Sequence, residues 1–104
     1  MLVADTFKAL GDPVRLEIIQ RLSDGSSYTI GSVSDGLALT RQGARKHLQV
    51  LADVKLVSLI TKGRQIEVKL DKEALLVAKT FISSLEIQWD NRLEALQEFV
   101  ESDI

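Results

Sequence analysis

The residues best equipped for chemistry lie together, in Thr40 to Leu51, TRQGARKHLQVL. Arginine, lysine and glutamine are the side chains that best match phosphates and base edges. Thr40 is a good N-cap, since its hydroxyl accepts a bond from one of the first free backbone N–H groups of a helix. On a helical projection Ala44, Leu48 and Leu51 share one face, at spacings of four and three. Gln42, Lys46 and Gln49 fall opposite, and Arg45 sits on the flank. Arg41 occupies the first turn, where a cation opposes the helix dipole. Helix stability therefore does not account for Arg41, whereas an anionic partner does. The stretch reads as a DNA recognition helix.

Other chemistries find little support. The chain has no Cys and a single His, and its Ser residues fall in loops or in a weak helix, so no nucleophile, base and oxyanion set can be nominated. Gly11, Gly25 and Gly31 are not in the strand–loop–helix setting of a phosphate loop. His47 lies beside the apolar stripe, and one His without Cys makes a poor metal site. It reads as a packed or backbone-bonding histidine, with a phosphate contact as a second role.

An apolar content of 45% and a charged content of 27% over 104 residues are those of one globular domain with a modest core. No apolar run is long enough for a membrane span. The start, MLVADTFKAL, lacks the charged lead and apolar block of a secretory signal. The lack of Cys leaves the cytoplasm as the expected location. The net charge of −2 hides a segregation. Thr40 to Leu70 holds seven Lys/Arg against two Asp/Glu, whereas Asp71 to Ile104 holds three against eight. A basic middle between acidic ends fits a local nucleic-acid footprint.

The elements that must position these residues can be read in order. Val3, Phe7 and Leu10 predict a short amphipathic helix over residues 2–10, ended by Gly11. Asp12-Pro13 is a start signal, N-cap then Pro at the first helical position, for a second helix with Val14, Ile18, Ile19 and Leu22 buried. Arg15 is expected to pair with Asp12 or with a carboxylate on another helix. Ser26-Ser27 reads as loop. Thr29 caps a third helix carrying Ile30, Val33 and Leu37, and Ala38-Leu39 is a tight connection to the Thr40 helix. Two helices joined by a short turn are a helix-turn-helix, at about 29–54. Val57, Leu59 and Thr61 alternate with Ser58, Ile60 and Lys62, then Ile66, Val68 and Leu70 with Glu67 and Lys69, around Lys62-Gly63-Arg64. That predicts a two-stranded hairpin, a wing at about 56–70, whose cationic tip offers Lys62 and Arg64 to a phosphate or the minor groove.

From Asp71 the helical period returns. Leu75, Ala78, Ile82, Leu85, Trp89, Leu93, Leu96 and Val100 are three or four residues apart, predicting a helix over about 72–102. It is longer than a small core needs, so its stripe calls for a partner helix. Homodimerisation is the expected answer, with Val3, Phe7, Ile82, Leu85, Trp89, Leu93 and Leu96 in the interface. The alternative for Trp89 is one wall of an effector pocket. Glu86, Asp90, Glu94 and Glu98 line a solvated face.

This order of helix, DPVRLEIIQRL, TIGSVSDGLALTRQGARKHLQVLADVKLVS, hairpin KGRQIEVKL and a long helix with a Trp resembles the ArsR/SmtB family of bacterial winged-helix repressors. The resemblance covers nearly the whole chain. FKALGDPVRLEIIQRL and TRQGARKHLQVL carry it most specifically. It looks closest to the metal-independent branch whose recognition helix contains TRQ and KHL. The resemblance implies a mostly helical winged helix-turn-helix with a small hairpin, acting as a homodimeric repressor on a pseudo-palindromic double-stranded DNA operator. It places Thr40, Arg41, Gln42, Arg45 and Lys46 at DNA-contacting helix positions and Arg64 at the wing tip. Metal sensors of the family use Cys pairs, or Asp/His and His/Glu pairs on the last helix. With no Cys and His47 alone, none of these sites can be assembled here. Gly36, Ala38 and Gly43 also depart from the commoner family residues.

The rival class is an interaction module that docks a protein through its last helix. A small apolar effector at the dimer interface is a third reading, compatible with the first.

Overall fold

The computed structural model describes residues 3–102; Leu2, in the expected first helix, lies outside them. The chain folds as α1 (Val3–Leu10), α2 (Pro13–Leu22), β1 (Tyr28–Thr29), α3 (Ile30–Ser34), α4 (Arg41–Asp53), β2 (Val57–Lys62), β3 (Gln65–Leu70) and α5 (Lys72–Ser102). Local chemistry sets the boundaries. The Asp12 carboxylate accepts from the backbone amides of Val14 and Arg15, at 2.9 and 3.0 Å, and Pro13 opens α2. Those amide donors, Arg15 first, hold the Asp12 carboxyl below its ordinary pKa.

Arg15 forms no close ion pair with a carboxylate among the described residues, although its charge helps lower the Asp12 pKa. Its Nε donates to the Ala9 carbonyl at 2.6 Å and its Nη2 to the Lys8 carbonyl at 3.5 Å. Both carbonyls are at the C-terminal end of α1, where helical partners run out. Arg21 does the same for α3, donating to the carbonyls of Val33, at 3.1 Å, and Asp35. The two arginines of α2 thus bind the ends of its neighbours.

α3 is shorter than its sequence pattern implies. Thr29 and Ser32 form a reciprocal capping box, but the helix stops at Ser34 and Leu37 packs from the turn beyond it. Asp35 is extended, and Gly36 (φ +79°) and Ala38 (φ +54°) are left-handed. The chain cannot stay helical through that sequence of conformations.

The hairpin extends to a three-stranded antiparallel sheet in the order β1-β3-β2. Val57 faces Leu70, Lys62 faces Gln65, and Tyr28 of β1 pairs with Val68. Gly63 (φ +61°) supplies the left-handed residue at the tip. Two residues are too few to show alternation, so β1 is invisible as a pattern.

The core is shared by all these elements. Ile18, Leu22, Val33, Leu48, Leu51, Leu56 and Val68 are fully buried, and Ala44 completes the inner face of α4. At about 25 cal/mol per Å² of apolar area, this burial fixes α4 far more strongly than helix propensity does.

α5 stands apart. Its 31 residues span about 46 Å at 1.5 Å per residue, and the molecule is 72 Å long but only 24 by 23 Å across. Only Ala74 and Ala78 of α5 are buried, and Phe81 meets Phe7 of α1 edge-on at 5.7 Å. Every described residue from Ser84 onward is exposed.

Candidate nucleic-acid interface

Thr40 begins the site. Its hydroxyl accepts from the Gly43 amide at 3.0 Å, fixing the first turn of α4. The buried stripe of Ala44, Leu48 and Leu51 then sets the rotation of the helix about its axis. Arg41, Gln42, Arg45 and Lys46 are consequently exposed.

The wing brings a further cation to the same place. Arg41 and Arg45 of α4 and Arg64 of the hairpin tip line one open cleft of about 150 Å³. Thr29, Gly31 and Gln65 also line it, and among the described residues no carboxylate does. Among the described residues the ion pairs are Arg21–Glu17 and Lys62–Glu67, with His47–Asp12 a third only when the imidazole is protonated. Arg41, Arg45, Lys46 and Arg64 stand outside all of them. Three guanidinium groups held together without a counter-charge repel one another in the free protein, and a bound anion relieves that repulsion.

The other candidates are placed differently. Lys62 is on the wing but is 3.3 Å from Glu67 across the hairpin. His47 is half-buried at the corner of α1, α2 and α4, where Nη1 of Arg15 lies 3.3 Å from its Nδ1. The Asp12 carboxylate is farther, at 3.9 Å. His47 thereby ties α4 to the α1–α2 junction.

Sequence reasoning did not find Thr29, Gly31 and Gln65 as cleft residues, because their approach depends on β1 pairing with β3. It also missed Phe81, although Ala78, Phe81 and Leu85 keep the three–four spacing.

A larger groove of about 490 Å³ separates α1 from the end of α4, but Asp5 and Asp53 there offset Lys8 and Arg15. Among the described residues, no three His, Cys, Asp or Glu side chains come together as a metal-binding group. No described helix is long and apolar enough to cross a membrane.

Comparison with known proteins gives the family and the fold. A family model described as a helix-turn-helix domain matches residues 10–60. An uncharacterised HTH-type transcriptional regulator of Bacillus subtilis, YuzN, is 39% identical over 64 residues, covering 56% of this chain and 70% of the relative. An ArsR-like transcriptional regulator from Rhodococcus sp. RHA1 superposes with a TM-score of 0.78 at 30% identity, over 93% of this chain and 91% of that one. The chain belongs to the ArsR/SmtB-type winged helix-turn-helix transcriptional regulators. The fold is also that of a homodimeric winged helix-turn-helix DNA-binding domain from Mycobacterium bovis, with a TM-score of 0.64 at 19% identity over 81% of this chain and 78% of that one.

Proposed function

We propose that this ArsR-type regulator is a homodimeric repressor that binds a pseudo-palindromic operator through α4 and the wing, without sensing a metal. The observation that carries the reading is the convergence of Arg41, Arg45 and Arg64 on one cleft that no carboxylate lines among the described residues. Arg45 and Gln42 read base edges, Lys46 reads bases or holds phosphate, and Thr40 and Arg41 hold the backbone. Lys62 and Arg64 engage the strand at the wing, and His47 contributes through the orientation of α4.

The dimer is supported by α5. Ile82, Leu85, Trp89, Leu93 and Leu96 are 46–62% exposed on the protomer. Together with Val3 and Phe7 of α1 they form an apolar face that a second copy would cover. Two recognition helices about 34–36 Å apart then enter successive major grooves. The absence of Cys and the isolation of His47 support metal independence, and a cytoplasmic location follows from action on DNA.

Selection of bound fragments from a genomic pool tests the function. One enriched sequence is the expected result. No enrichment, together with a stoichiometric protein partner on α5, would support the docking module instead. Against the enriched sequence, Arg45→Ala is expected to cost about 1–3 kcal/mol of binding, and wild-type affinity for that variant would remove its assignment to base reading.

A further inference from the structure

We propose that the cleft between α4 and the wing is a seat for a single backbone phosphate, the one on the strand that separates the groove read by α4 from the groove met by the wing. The inference rests on the DNA-binding reading and adds a site to it. Arg41 comes from the recognition helix and Arg64 from the wing tip, so the two cations reach the cleft from different elements. The Arg41 guanidinium lies over Gly31: a Cβ on Gly31 would be 4.0 Å from its Nη2 and 3.9 Å from the Thr29 hydroxyl. The floor is therefore backbone and hydroxyl, with a cation held above it.

The cleft, about 150 Å³ and open to solvent rather than enclosed, has room for a tetrahedral anion attached to a chain on both sides. Guanidinium groups prefer phosphate oxygens for their paired N–H geometry. One phosphate held from both sides would lock the wing to the recognition helix and fix the register of Arg45 on the bases.

The test uses the full chain with inorganic phosphate as first probe. Arginine Nε–H and backbone amide signals are followed by heteronuclear NMR, exchanging chloride for phosphate at constant ionic strength. Saturable shifts at Arg41, Arg64 and Gly31 are expected, and shifts no larger than those of Arg21 would overturn the site. Gly31→Asp places a carboxylate under Arg41 in the first turn of α3, where an acid is compatible with the helix. It should fold normally by circular dichroism, abolish the phosphate shifts and weaken operator binding, whereas Gly31→Ala should do neither. An unchanged phosphate response in folded Gly31→Asp would overturn the proposal. In the selected operator, one neutral methylphosphonate per half-site at the seated position should lower affinity roughly ten- to hundredfold. If phosphate saturates the cleft but no methylphosphonate position matters, the seat serves a free anion and the proposal fails while the repressor reading stands. If phosphate binds and no DNA is ever selected, the repressor reading fails and takes the strand contact with it.

Discussion

Arginine does two different jobs in this chain, and the partner of each side chain tells them apart. Arg15 and Arg21 are bound to carbonyls at helix ends, so their charge is spent on structure. Arg41, Arg45 and Arg64 share a cleft that no described carboxylate lines, which leaves their charge for a ligand. The caps are similarly divided. Thr40→Ala should cost about 1 kcal/mol of folding stability by removing the bond to the Gly43 amide, measured as a lower denaturant midpoint. Asp12 supplies a pH test. Its carboxyl pKa is lowered from the ordinary 3.8 by the amides of Arg15 and Val14, so the folded state favours the charged form. That contribution is full above the unfolded pKa and disappears as pH falls through the lower folded value. Asp12→Asn keeps a good cap without the titration. Thermal melts should therefore show a smaller loss between pH 5 and pH 3 for Asp12→Asn than for the wild type; equal losses would contradict the assignment. Ala38, left-handed at φ +54°, bears a conformational cost that glycine would not. Ala38→Gly should raise stability by up to about 1 kcal/mol, net of the extra freedom glycine has when unfolded.

At the scale of the element, legibility followed from how far a pattern extends. The three–four spacing of Ala44, Leu48 and Leu51 and the alternation through Val57, Leu59, Val68 and Leu70 run over enough residues to show in the sequence. Both stripes are buried or half-buried in the fold. β1 has no period to detect, and the early end of α3 depends on left-handed Gly36 and Ala38. The arginines of the recognition helix were readable as a cationic face. Their meeting with Arg64, over Gly31 and Thr29, was not, because it is created by β1 docking against β3. α5 makes its own prediction. Trp89 is the sole tryptophan and is 62% exposed on the protomer. Its emission should shift to the blue as concentration rises and the α5 faces pair. Leu93→Glu should prevent that shift, leave a monomer by sedimentation, and lower operator affinity at least tenfold.

For the whole molecule, charge and shape divide the labour. A basic middle of the chain is followed by an acidic terminal third, so a net charge of −2 coexists with a strong local field. The field's signature is salt dependence: log K should fall linearly with log salt, with a slope near −0.9 per phosphate neutralised. Because a two-fold dimer presents each side chain twice, Arg64→Ala should reduce that slope by about two rather than one. The most direct measurement is footprinting and stoichiometry on the genomic sequence enriched by selection. Two copies of the chain should protect two inverted half-sites centred about 10–10.5 base pairs apart, or a multiple of that spacing. Protection of one asymmetric site by a single copy, or the absence of any enriched sequence, would contradict the account.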